Sequence, residues 1–168
     1  MRLALFEPDI PPNLGTILRL GACLNTPVHV IEPCGFPFSV QAVRRSAMDY
    51  LEHAAIHRHE SWQQFHDERQ AGTLPGRLVL MTTKAAIPYT DFRFEADDIL
   101  LFGRESKGAP DYVHAAADAR LLIPIRPDLR SINVATAAAI VLGEALRQCD
   151  AFPRRQDPPP AGPPGVQT

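Results

Sequence analysis

Five short apolar runs, separated by stretches of helical periodicity, constrain this chain more than any other feature. Arg2–Phe6, Val28–Ile31, Leu78–Thr82, Ile99–Phe102 and Leu121–Ile125 are each four or five residues long and are bounded by Pro, Gly or polar residues. Runs of that length without polar alternation suit strands covered on both faces. Between them, Asn13 to about Asn25, Val40–Tyr50, Trp62–Gln70, Pro110–Ala116 and Ile132–Gln148 read as helices. Ser61-Trp62-Gln63-Gln64 has capping-box spacing at the start of the third helix. Strand–helix alternation predicts an α/β fold, a mostly parallel sheet with helices on both faces.

The chain has 168 residues, enough for one domain with one sizeable core. From Pro153 onward the composition turns to proline, arginine and glycine. Proline lacks a backbone donor and fixes φ, and little apolar surface remains to offset ordering. A domain over 1–152 and a disordered proline-rich tail over 153–168 are expected. No apolar run approaches the roughly 18 residues of a membrane span. The N-terminus lacks the apolar core of a signal peptide. A cytoplasmic protein with no membrane association is the expectation. Cys23, Cys34 and Cys149 are widely spaced, with no metal-ligand pattern, so free thiols and no metal are expected. A formal net charge of −2 argues against a general, charge-driven nucleic-acid binder; any such binding must come from a local patch.

Three segments carry chemistry. In Pro11-Pro12-Asn13-Leu14-Gly15-Thr16-Ile17-Leu18-Arg19, Asn13 suits an N-cap, and Gly15 and Arg19 share a helix face. Arg19 should lean back over a bare Gly15 toward free N–H groups, forming an anion pocket. The plainer alternative is a capped helix with a surface arginine. In Ile99-Leu100-Leu101-Phe102-Gly103-Arg104-Glu105-Ser106-Lys107-Gly108, a strand runs into a loop with a glycine at each end. Open α/β sheets bind ligands at the carboxyl ends of strands. Ala109-Pro110 follows where a P-loop has Lys-Ser/Thr, and no G-x-G-x-x-G fingerprint exists, which disfavours a nucleotide triphosphatase and an ordinary dinucleotide enzyme. In Ile123–Ile140, a proline-marked loop carrying Ser131 and Asn133 leads into a helix rich in small residues, Ala135 and Ala137 to Ala139. Its simplest explanation is a close-packed core helix with a serine N-cap.

Taken together and in this order, the segments resemble the 2′-O-ribose branch of the SPOUT superfamily of RNA methyltransferases. The match is Asn13-x-Gly15-x-x-x-Arg19, then Phe102-Gly103-x-Glu105-x-x-Gly108, then Ile123-Pro124 with Ser131-x-Asn133-Val134-Ala135. Residues 5–13, 31–36 and 44–50 further resemble the minimal, TrmL-type tRNA (cytidine/uridine-34-2′-O)-methyltransferases. The resemblance covers roughly residues 1–150. It implies a C-terminal trefoil knot, a homodimer, S-adenosyl-L-methionine as methyl donor and the wobble ribose of tRNA as acceptor. It leaves open another tRNA position, ribosomal RNA, or a non-catalytic knotted RNA-binding protein.

Carried over by position, the donor would sit among Met81, Gly103, Ile123 and Ser131, with Asn133 in support. Asn13, Arg44 and Arg45 are the RNA-contact candidates, with His57, Arg58 and His59 as a second group. Lys84 and Glu105 would stand on the rim. His29, His53, His66 and His114 have no motif context and are expected at the surface or in packing. Ala135 stands where many relatives carry serine, and Arg104 where they often carry proline or a small residue. Arg19 is expected to be catalytic. A guanidinium stays protonated, so anchoring the adjacent phosphate and the forming alkoxide suits it better than removing a proton.

Overall fold

The structure, a computed structural model, describes residues 1–38 and 47–154. Seven strands form one sheet in the order β3-β2-β1-β6-β4-β7-β5. They are β1 (Arg2–Phe6), β2 (Val28–Ile31), β3 (Ile56–His59), β4 (Leu78–Met81), β5 (Ile87–Pro88), β6 (Ile99–Phe102) and β7 (Ala119–Leu122). Every pairing is parallel. The helices are α1 (Pro11–Cys23), α2 (Trp62–Gln70), α3 (Asp111–Ala116) and α4 (Val134–Gln148). The expected helix over 40–50 and the tail from 155 onward lie outside the described residues, apart from a 3-10 turn at Met48–His53.

The core divides by sheet face, as a sheet covered on both sides requires. On one face α1 and α4 bury Leu14, Ile17, Leu18, Ala138, Val141, Leu142 and Leu146 against β1 and β6. On the other, Phe65 of α2 and Val113 of α3 pack with Phe6, Leu80 and Leu101. The α4 stripe Ala135, Ala138, Val141, Leu142, Ala145, Leu146 follows the three-and-four spacing that keeps one helical face inward. Ser61 caps α2 as expected: its side chain accepts from Gln64 N, and Gln64 Oε1 accepts from Glu60 N at 2.7 Å.

Several expectations are corrected. The N-cap of α1 is Ile10, with the two prolines in the first turn, so Asn13 lies inside the helix and does not cap it. The N-cap of α4 is Asn133, whose Oδ1 accepts from Ala135 N at 2.9 Å and Thr136 N at 3.2 Å; Ser131 precedes the helix. β7 starts at Ala119 and ends at Leu122, so Ile123 and Ile125 lie beyond it. The edge strands β3 and β5 are not apparent from the sequence, because edge positions are half exposed and need no apolar run.

His59, in the second group of phosphate-contact candidates, is buried with His29, and the pair is joined by a 2.8 Å contact from Nδ1 of His29 to Nε2 of His59. Burial, then the neighbouring His57, His59 and Arg2, push His29 from its usual value of 6.5 down to about 3. The folded state therefore keeps His29 neutral while the unfolded chain takes up a proton below pH 6.5. Stability contributed by this group is complete above that pH and is lost as pH falls toward 3. Lowering pH from 7 to 5 should destabilise the fold by about 2 kcal/mol through His29. Urea denaturation at both pH values measures this, and His29→Leu should flatten the dependence. An equally steep dependence in that variant would refute the assignment.

Candidate active site

A cleft of about 470 Å³ opens at the carboxyl ends of β1, β4, β6 and β7, within the size range of small-ligand and cofactor sites. Met81, Gly103, Ile123 and Ser131 all line it, as do Asn13, Glu105, Lys84 and Asn133. Four segments distant in the chain thus converge on one space. Its walls are apolar at Phe102, Ile123, Ile125 and Val134, and its rim carries Lys84, Arg104 and Lys107.

The loop after β6 is a closed turn. Arg104 N donates to Gly108 O at 3.2 Å, and Gly108 N donates to Arg104 O at 2.8 Å. Gly108 has φ +68°, a left-handed conformation that glycine adopts without strain. A Cβ on Gly103 would lie 2.6 Å from both Ala109 N and Gly108 C, so only glycine lets the turn fold back on itself. Arg104 pairs with Glu7, which ends the β1 turn with φ +46°. The charge that departs from the family pattern is therefore held by a partner within the chain.

One side-chain network ties the segments together. Asn13 Nδ2 donates to Glu105 Oε1 at 2.9 Å, and Asn13 Oδ1 accepts from Asn133 Nδ2 at 2.9 Å. Asp9 N donates to Glu105 Oε2, and Glu105 N donates to Asp9 Oδ1, both at 3.1 Å. Ser106 Oγ also bonds to Asp9 Oδ2. Burial, then the Asp9 carboxyl beside it, push Glu105 above the usual carboxylate range. Burial would raise Asp9 too, but hydrogen bonds from Glu105 and Ser106 outweigh it and hold Asp9 low. Of these two adjacent acids, Glu105 is the one that holds a proton more readily.

Gly15 is buried in α1 rather than bare. Arg19 is exposed, with its guanidinium 4.7 Å over the Tyr50 ring, and it is not among the residues lining the cleft. It stands six residues beyond Asn13, roughly 9 Å along the helix axis. Arg44 and Arg45 lie outside the described residues. Arg58 pairs with Glu32 at 2.7 Å and covers the Phe38 ring at 4.6 Å.

Sequence reasoning missed Thr82, Thr83, Ile125 and His114 among the lining residues. The threonines follow β4 directly, and the rule that ligands gather at carboxyl strand ends could have found them. Among the described residues no group of three or more His, Cys, Asp or Glu is arranged to hold a metal ion. No helix among them is long and apolar enough to cross a membrane.

Removing the Asn13 carboxamide should cost about 2 kcal/mol, because it breaks the hydrogen bonds to both the half-buried Glu105 and Asn133. Asn13→Leu, followed by chemical denaturation, measures this; a loss within 0.5 kcal/mol, about the level of an ordinary surface change, would show that the network is dispensable.

A model of the SpoU rRNA Methylase family matches residues 1–143. The chain is 56% identical over 160 residues to a tRNA (cytidine(34)-2′-O)-methyltransferase of Beijerinckia indica subsp. indica, covering 95% of this chain and 98% of the relative. A solved structure described as giving structural insights into the 2-OH methylation of C/U34 on tRNA superposes with a TM-score of 0.81 at 35% identity, covering 88% of this chain and 94% of that one. The SpoU methyltransferase AviRb from Streptomyces viridochromogenes, solved in complex with the cofactor AdoMet, superposes with a TM-score of 0.78 at 27% identity, covering 88% of this chain and 60% of that one.

Proposed function

This chain belongs to the SpoU rRNA Methylase family, and from that premise we propose that it transfers a methyl group from S-adenosyl-L-methionine to the ribose 2′-hydroxyl of nucleotide 34 of tRNA, a cytidine or modified uridine. The observation that carries the reading is the 56% identity, over nearly the whole of both chains, to a relative bearing that activity in its name. The solved relative concerned with C/U34 points the same way, as does the AdoMet complex of AviRb for the donor.

The donor is assigned to the cleft, with Met81, Gly103, Ile123 and Ser131 as its contacts. The residues present fit such a group. Apolar walls suit a purine ring, and closely approaching backbone at Gly103 and Gly108 offers hydrogen bonds without side chains in the way. The donor's sulfonium supplies its own leaving group, so no metal is invoked. What remains for the protein is in-line positioning and stabilisation of the alkoxide. Arg19 is assigned that second task, holding the phosphate beside the target ribose and the developing negative charge. Exposure of its cation on the helix whose first turns line the cleft is consistent with this role. Asn13, Arg44 and Arg45 are assigned to RNA. The Asn13 carboxamide is bonded at both ends, yet each end retains one further hydrogen-bonding position.

The reading extends to chain topology and assembly. A trefoil knot formed by the C-terminal segment accounts for a cleft built from residues 81–84, 102–109 and 123–137 at once. A homodimer accounts for the small, uncovered face of α4, where Ala139 and Ile140 are exposed and the Gly143 position has open space around it. The methyltransferase domain is taken as residues 1–152, with a proline-rich tail over 153–168, and its location as the cytoplasm, where tRNA is modified.

Arg19→Ala should abolish methyl transfer while leaving donor affinity intact, measured by methylation assay beside calorimetry with S-adenosylmethionine. Normal turnover would remove Arg19 from the mechanism. Gly103→Ala should instead weaken donor binding at least tenfold, because the turn must open by several tenths of an ångström. Mass spectrometry of tRNA nucleosides from a strain lacking the gene tests the substrate. Unchanged 2′-O-methylation at position 34 would overturn the wobble assignment.

A further inference from the structure

We propose that Trp62, His66 and Tyr112 form a platform on which an unpaired RNA base next to the reacting nucleotide stacks, an inference that rests on the chain's being an RNA methyltransferase. These residues lie outside the cleft and have no part in the donor site.

The rings collect at one place because three elements deliver them to the same edge of the sheet. Phe6 ends β1, Trp62 opens α2 just after β3, and Tyr112 sits in the first turn of α3 after the β6 loop. All three points are at carboxyl strand ends, the edge that also carries the cleft. Phe6 is fully buried and anchors the group, 5.8 Å from Trp62 and 6.2 Å from Tyr112, edge to face in both cases. Trp62 and Tyr112 are 6.2 Å apart, and His66 stacks on Trp62 at 5.8 Å with an interplanar angle of 14°. Tyr112 keeps 53% of its surface exposed. Closing the core does not require that exposure, since Phe6, Phe65 and Val113 already fill the space beneath.

Arg104 connects this group to the cleft. It lines the cleft and also places its guanidinium 5.4 Å over the Phe6 ring. Lys107 of the same turn adds a second cation on the cleft side. Glu7, paired with Arg104, Glu105 next to that arginine, Glu60 and Asp67 near Trp62 and His66, and Asp111 beside Tyr112 are acids nearby in the chain. An exposed ring continuous with a cationic rim matches how single-stranded RNA is held, with bases on aromatic faces and backbone against positive charge. Stacking tolerates any base, so the platform would fix the neighbour of the target without reading its identity.

Trp62 is the chain's one tryptophan, so tryptophan emission, excited at a wavelength that tyrosine does not absorb, reports on this surface. The test titrates the full-length protein with unmodified tRNA from a strain lacking the gene, and with a fully paired RNA duplex. Binding is followed independently by anisotropy of dye-labelled tRNA. The tRNA should change Trp62 emission saturably and the duplex should not. Tyr112→Ala should raise KM for tRNA about tenfold, with kcat and S-adenosylmethionine affinity unchanged. Tyr112→Phe should restore KM, and Tyr112→Leu should not. Unaltered emission at saturating tRNA, or a normal KM in Tyr112→Ala, would overturn the platform while leaving the methyltransferase reading in place. Failure of the labelled tRNA to bind at all would remove both.

Discussion

The carboxamide of Asn13 is the contact on which the site depends. It joins Glu105 of the β6 loop to Asn133 at the start of α4, while its own backbone lies in α1. No two of these residues are close in sequence, yet they meet within hydrogen-bond distance. Asn133 in turn caps α4 through its other side-chain atom, so one chain of bonds runs from a half-buried acid to a helix N-terminus. A carboxamide is suited to this because it donates at one end and accepts at the other. An aspartate there would place a second acceptor against Glu105.

That bridge sets the geometry of the cleft by fixing the mouths of separate loops. The Gly103–Gly108 turn is closed by its own backbone and has no room for a side chain at its first residue. Asp9 and Glu105 each donate a backbone N–H to the other's carboxylate, which locks the β1 loop to the β6 loop. The result is a preformed cavity with apolar walls at Phe102, Ile123, Ile125 and Val134 and polar side chains such as Asn13, Glu105 and Asn133 held in place by one another. A cofactor entering it meets little reorganisation, so more of the contact energy is available for affinity.

Much of the layout was legible because buried parallel strands leave a plain signature. Strands β1, β2 and β6 and helix α2 have the boundaries read from the sequence. The edge strands were not legible, since an edge position has only one neighbour and half its surface in solvent. The shift of β7 has a related cause. Ile123 and Ile125 are apolar because they wall the cleft, not because they belong to the sheet. Apolar character reports burial, and burial against a ligand space looks the same in sequence as burial against a neighbouring strand.

The α/β class and the glycines of the β6 turn were readable from the sequence alone, while Met81, Gly103, Ile123 and Ser131, which meet in the cleft, came from the resemblance of its motifs to a known family. These depend on local pattern, on strand ends and on motif order. What the polar side chains do was set by long-range packing. Asn13 looked like a helix cap and is a bridge between loops; His59 was only a candidate for phosphate contact and is buried against His29; Arg19 places its guanidinium over Tyr50. The reason is physical. A polar side chain bonds to whichever partner the fold brings within about 3 Å, and for these residues that partner lies tens of residues away in the chain.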